Sequence, residues 1–231
     1  MRGVAFVVAA LTLCASQAGA APAPSGRDLY LQGCVTCHGR DGGGTLDGPP
    51  LQGVGGQAAH LYLTTGYMPL ESPGDKPVRK DSPYTKEEID APVGYIASFG
   101  GPPVARADPE RGNVADGQRL FTENCAGCHQ VVAEGGVVVG GVAPDLRHAS
   151  PTQVAEAVRV GPYLMPKFTR QQIDDRQLDS IIRYVELTKN PDDRGGWGIG
   201  HLGPIPEGIV AWFLAGGALV AAALVIGGRQ R

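Results

Sequence analysis

Aromatic residues are scarce in this chain of 231 residues: two Trp, seven Tyr and five Phe, 6% in all. Methionine is scarcer still, at three with the initiator included. With 35 Gly and 19 Pro, much of the chain is loop. This composition excludes a large self-sufficient aromatic core, and small domains built this way are marginal unless a buried non-protein group completes them. Charge of one sign is also lacking. The formal net charge is −3 and there is no run of Lys or Arg, so nucleic-acid binding is set aside.

Cysteine is likewise sparse, but its placement is not random. Four of the five cysteines sit in two copies of one motif, Cys34-Val35-Thr36-Cys37-His38 and Cys125-Ala126-Gly127-Cys128-His129. C-x-x-C-H is the attachment signature of c-type haem. Residues three and four apart share a helical face, so both thiols reach the haem vinyls and the following His lies under the iron. Zinc would need a further ligand pair at finger spacing after each CxxC, and none follows. A redox disulfide would need neither the adjoining His nor the duplication. Two covalently bound haem c groups are the expected cofactors.

The ends of the chain carry the apolar runs. Residues 1–20 read as a signal peptide, with Arg2, an apolar stretch from Val4 to Leu13, and Ala18-Gly19-Ala20 as cleavage site. An uncleaved anchor is the competing reading. Leu13 before Cys14 speaks against a lipoprotein site. Export agrees with thioether chemistry on the outer side of the membrane. Gly208 to Gly228 contains no charged residue, and at about 1.5 Å per residue it covers roughly 30 Å, enough to span a bilayer. Trp212 falls near an interface. Arg229 and Arg231 follow, placing the C-terminus in the cytoplasm and the remainder outside. Gly216-Gly217 suits close packing on a partner helix.

The two halves repeat. Gly26, Leu29, Tyr30, Cys34, Cys37 and His38 match Gly117, Leu120, Phe121, Cys125, Cys128 and His129 at a constant offset of 91. Each half closes with a helix: Thr85 to Phe99, opened by the capping box Thr85/Glu88 with Ile89, Val93 and Ile96 inward; and Asp175 to Lys189, with Leu178, Ile181, Ile182 and Val185 inward. Tyr95 and Tyr184 match. Pro92 is expected to kink or break the first of these helices. The expected organisation is a signal peptide at 1–20, a first domain at 21–100, a linker at 101–113 and a second domain at 114–190. A membrane-proximal linker at 191–207, the span at 208–228 and a tail at 229–231 complete it.

Met68 and Met165, the two non-initiator methionines, are each followed by Pro. Each lies between its CxxCH and its closing helix, where a thioether reaches the distal haem face. His38 with Met68, and His129 with Met165, are therefore the candidate iron ligands, and His/Met ligation raises the potential. His60 and His148 compete as ligands; His201, in the membrane-proximal linker, does not. A carbonyl in Pro49-Pro50-Leu51 or Pro144-Asp145-Leu146 is a candidate acceptor for the second N–H of the proximal His, although an ordinary turn reads equally well. Arg79, Lys80, Arg147 and Lys167 are candidate partners of haem propionates, or are simply solvated. With both axial positions filled, the iron offers no site to substrate. Electron transfer is then expected, with no catalytic residue in the chain itself.

Two class I cytochrome c domains ahead of a C-terminal anchor, an all-α architecture, resemble the di-haem cytochrome c subunit of the actinobacterial-type cytochrome bc1 complex. The specific features are Tyr67-Met68-Pro69-Leu70, Pro77-Val78-Arg79-Lys80, and the stretch from Gly195-Gly196-Trp197 through Gly203-Pro204 to Glu207-Gly208. The resemblance implies a subunit of a menaquinol-oxidising, proton-translocating complex. Its partners would be cytochrome b, a Rieske iron–sulfur protein and an aa-type cytochrome c oxidase. The first haem (Cys34, Cys37, His38, Met68) would accept the electron. The second (Cys125, Cys128, His129, Met165) would pass it on. A cytochrome subunit of an outer-face dehydrogenase, a cbb-type oxidase subunit and a di-haem peroxidase remain as alternatives. A C-terminal anchor counts against the oxidase subunit, and two bound methionines would eliminate the peroxidase.

Overall fold

The computed structural model describes residues 24–191 and 204–229. The expected signal peptide with Arg2 and Cys14, the stretch around Trp197, His201 and Arg231 lie outside the described residues.

The first half contains α1 (Gly26–Gly33), α2 (Val35–His38), α3 (Gly55–Thr64) and α4 (Lys86–Ala97). The second contains α5 (Val114–Asn124), α6 (Ala126–His129), strands β1 (Gly136–Val138) and β2 (Gly141–Ala143), α7 (Pro151–Val160) and α8 (Asp175–Lys189). Both halves lie in one compact unit that extends to Val185; the chain from Glu186 onward forms a second. The second unit contains α9 (Pro204–Gly228), whose segment Gly208–Gly228 has a mean hydropathy of 2.5. It is long and apolar enough to cross a membrane.

The helix starts follow local chemistry. Thr85 Oγ1 accepts from the Glu88 N–H, and Glu88 Oε2 accepts from the Thr85 N–H, forming the expected capping box. Asp174 and Gln177 make the same reciprocal pair before α8. Ser150 and Gln153 do so before α7.

Each half has its own core. Tyr30, Leu63, Ile89, Val93 and Ile96 form the first; Phe121, Val154, Ile173, Ile181, Ile182 and Val185 belong to the second. The repeated glycines now have a reason. A Cβ on Gly26 would stand 2.0 Å from the Ala91 carbonyl oxygen, and one on Gly117 would stand 2.0 Å from that of Ser180. The opening helix presses on the backbone of the closing helix in both halves.

One expectation is corrected. Pro92 does not break α4, which runs continuously through it with Pro92 buried. Proline removes one bond to the Glu88 carbonyl, yet Ile89, Val93 and Ile96 on either side pack in the core, and packing overrides propensity. The body is mostly helical, as expected. The second half carries a short antiparallel hairpin, Gly136 opposite Ala143, whose Val137 and Val142 point outward.

Candidate functional site

Each CxxCH occupies a single turn set off from the preceding helix. The Cys34 N–H donates to the Tyr30 carbonyl at 2.8 Å, and the Cys34 carbonyl accepts from the His38 N–H at 2.9 Å. Cys125 repeats both bonds, with Phe121 at 2.8 Å and His129 at 2.9 Å. The first Cys therefore ends one helix and starts the next, and the turn places Cys, Cys and His on one side.

His38 Nδ1 lies 2.8 Å from the Pro49 carbonyl oxygen, and His129 Nδ1 lies 3.1 Å from that of Pro144. A carbonyl only accepts, so Nδ1 carries the proton and the Nε2 lone pair is left for a metal. These are the carbonyls anticipated from the two proline turns. Burial holds His129 below its ordinary pKa, with the Pro144 bond opposing, which favours the neutral ligand form. Burial also raises the Cys34 thiol and pushes Cys125 up to about 12, the neighbouring cysteine adding to each. Both are neutral thiols at pH 7.

The hydroxyls that brace these turns were not foreseen. Tyr30 Oη donates to the Gly39 carbonyl at 2.7 Å, just past the first His. In the second half the matching residue is Phe121, and Tyr184 Oη donates to the Val131 carbonyl at 2.8 Å instead. The role has moved between helices whose rings touch, with Tyr30–Tyr95 centroids 5.3 Å and Phe121–Tyr184 centroids 5.4 Å apart.

Both methionines sit on loops closed at the base. Gly66, at φ +66, approaches the Lys80 carbonyl so closely that a Cβ would stand 2.4 Å away, and the Lys80 N–H donates to Thr65. Gly161, at φ +67, meets Lys167 N in the same way, at 2.7 Å. Met68 packs against the first core and Met165 against the second.

In the second half these residues share a cavity. Cys125, Cys128, His129, Pro144 and Met165 line a space of about 550 Å³, within the range of ligand and cofactor pockets, ~300–1,000 Å³. An uncommitted imidazole nitrogen, two thiols and a thioether on an apolar cavity suit a covalently held haem. In the first half Cys34, Cys37, His38 and Met68 are all half-buried.

The remaining candidates are otherwise engaged. His60 Nδ1 lies 2.7 Å from Glu156 Oε2, across the contact between α3 and α7. His148 lines the cavity, but its ring is largely exposed and its carbonyl accepts from Arg79 at 3.1 Å. Arg147, partly exposed, pairs with Asp145 at 2.7 Å and Glu134 at 3.1 Å. Lys80 and Lys167 are exposed. Among the described residues no group of three or more His, Cys, Asp or Glu side chains is gathered to hold a metal ion. Glu156 was missed, although an acid at the centre of the apolar run Val154–Val158 was a visible signal.

Comparison with known proteins agrees with this geometry. The cytochrome c family model matches residues 23–99, and that of cytochrome c oxidase, cbb3-type, subunit III matches residues 112–185. The cytochrome bc1 complex cytochrome c subunit of Mycobacterium tuberculosis (strain ATCC 25618 / H37Rv) is 35% identical over 227 residues, covering 94% of this chain and 81% of the relative. The chain belongs to the family of cytochrome bc1 complex cytochrome c subunits. Another member, from Corynebacterium diphtheriae, is 35% identical over 225 residues, with 89% and 80% covered. The cbb3-type cytochrome c oxidase subunit CcoP of Azospirillum sp. (strain B510) is 30% identical over 183 residues, with only 69% and 60% covered. This bc1-type cytochrome c subunit thus has two cytochrome c domains, suited to haem c, and a helix fitted to anchor it. The chain itself is an electron carrier.

Proposed function

We propose that this subunit carries electrons from a Rieske iron–sulfur protein, through two His/Met haem c sites, to a terminal oxidase of aa type. It does so as part of a proton-translocating quinol–cytochrome c reductase that contains cytochrome b. The observation that carries the reading is the repeated site: a one-turn CxxCH, a histidine Nδ1 bound to a proline carbonyl, and a methionine on a closed loop, twice in one body. Bound haem supplies a one-electron iron couple. The chain supplies the rest. Cys34, Cys37, Cys125 and Cys128 hold by thioether, and His38 and His129 are fixed in tautomer and direction. Met68 and Met165 would supply the other ligand to each iron, an arrangement suited to electron transfer. Arg229 and Arg231 set the C-terminus in the cytoplasm and the haem domains outside, in keeping with a cleaved signal peptide.

The test is purification of the native complex through a C-terminal tag in mild detergent, followed by a reduced-minus-oxidised spectrum. Haem b and haem a together with haem c are expected. Haem c alone beside a flavin- or quinone-cofactor protein would mean a dehydrogenase subunit instead. Haem c with a cbb3-type oxidase would favour the reading suggested by the match of residues 112–185.

A further inference from the structure

The two methionine loops differ in length: Gly66 to Lys80 in the first half, Gly161 to Lys167 in the second. The additional residues of the longer loop reach the other half. Lys76, Pro77, Val78 and Arg79 line the same cavity as Cys125, Cys128, His129 and Met165, and Tyr67 joins them.

Arg79 is the notable member. Its Nη2 donates to the His148 carbonyl at 3.1 Å and to Gln153 Oε1 at 3.2 Å, both in the second half. Gln153 in turn donates from Nε2 to the Thr64 carbonyl at 3.2 Å, closing the link to the first half. Both Arg79 acceptors are neutral. Among the described residues no carboxylate lies within ion-pair distance of Arg79, whereas Arg147 pairs with both Glu134 and Asp145. A half-buried guanidinium with Nε and Nη1 uncommitted is costly unless an anion or water takes them. The group this cavity suits carries two carboxylates.

Tyr163, two residues before Met165 and lining the same cavity, is held at φ +52. A bulky residue held at positive φ implies that its surroundings impose the conformation.

We propose that Arg79, from the first domain, binds a carboxylate of the group held in the second. The second site is then complete only when the first half is docked on it. This rests on the reading that Cys125, Cys128 and His129 carry a haem.

The test uses the full chain in detergent, with a stain for covalent haem and a redox titration of both haems. Met68→Leu and Met165→Leu assign the two waves. A nearby cation favours reduction, so Arg79→Gln is expected to lower the second wave by about tenfold in equilibrium constant, about 59 mV for one electron, with the first unmoved. Arg79→Lys keeps the charge and should restore most of the shift. Gln153→Ala loosens the clamp but leaves the charge, and should leave the potential. An unmoved second wave in Arg79→Gln would overturn the assignment, as would equal shifts of both waves, or equal shifts in Arg79→Gln and Arg79→Lys. Wild-type chain with only one covalent haem would sink the haem reading itself, a result separate from these.

Discussion

Removing His60 tests whether the two halves are locked by a buried pair. Glu156 is fully buried (0% exposed), with Oε2 on His60 Nδ1 at 2.7 Å and no hydrogen-bond partner at Oε1 among the described residues. His60→Ala strands that carboxylate. Breaking a buried pair from one side costs about 3–5 kcal/mol, and the lower figure applies because the His60 side chain is 20% exposed and admits water. In a body of this size about 3 kcal/mol lowers Tm by roughly 6–12 °C. Glu156→Gln removes the charge, keeps the volume, and should stay within about 1 kcal/mol of wild type. The double variant should lose only about 1–2 kcal/mol, the cost of an imperfectly satisfied amide, which leaves a coupling of about 2 kcal/mol. Thermal unfolding by circular dichroism measures all four proteins. The pH dependence follows from the same group. Burial raises the Glu156 pKa above its ordinary 4.5, with His60 opposing. The folded state therefore retains a proton that the unfolded state has lost. This group's contribution is fully present below pH 4.5 and falls as pH rises through the folded pKa. That slope should extend to higher pH in His60→Ala and vanish in Glu156→Gln. Additive single and double variants, or a His60→Ala protein within about 0.5 kcal/mol of wild type, would refute the reasoning.

Three further outcomes are expected. Met68→Leu should retain both covalent haems while lowering the potential of the first, and an unchanged titration would remove Met68 as ligand. Gly26→Ala forces a Cβ to 2.0 Å from the Ala91 carbonyl oxygen and should cost about 3 kcal/mol, whereas Gly94→Ala on the same α4, with nothing within 4 Å, should gain about 0.5–1 kcal/mol; equal effects in thermal unfolding would show that the helix crossing is not tight. Tyr184→Phe and Tyr30→Phe should each lose about 1 kcal/mol as one hydrogen bond is removed, and only Tyr184→Phe should disturb the spectrum of the second haem.

Sites built within one turn or one helix were legible in the sequence. The CxxCH motif fixes its own geometry, the Thr85/Glu88 box was readable at its spacing, and α8 runs from Asp175 to Lys189 as the apolar pattern indicated. The proline carbonyls were legible as candidates because a proline turn lies ahead of the methionine in each half. What the sequence hid depends on contacts between halves. His60 looked like a competing ligand because nothing local reveals that Glu156, 96 residues on, receives it. Arg79 looked equivalent to Arg147. Only the fold shows one paired with Asp145 and Glu134 and the other left without a carboxylate. Pro92 misled for the opposite reason: a local rule was applied where core packing decides.

The segment 101–113 read as a spacer, yet the structure ties it to both halves. The Gln57 N–H donates to the Pro102 carbonyl at 3.2 Å, and the Asp108 and Asn113 N–H groups donate to Asp179 Oδ1 and Ser180 Oγ, both at 3.0 Å. If the α3–α7 contact positions the halves, the covalent link between Pro103 and Val104 is dispensable to their placement. Doubling the linker with Gly and Ser inserted at that point would then cost only loop entropy, about 0.6 kcal/mol, or roughly 2 °C in Tm, with a single unfolding transition. The cavity wall contributed by Arg79 would stay in place, and with it the potential of the second haem. If the linker sets the arrangement, the same insertion should split the transition in two and shift that potential as Arg79→Gln does. The insertion therefore separates a docked pair of domains from a merely tethered one.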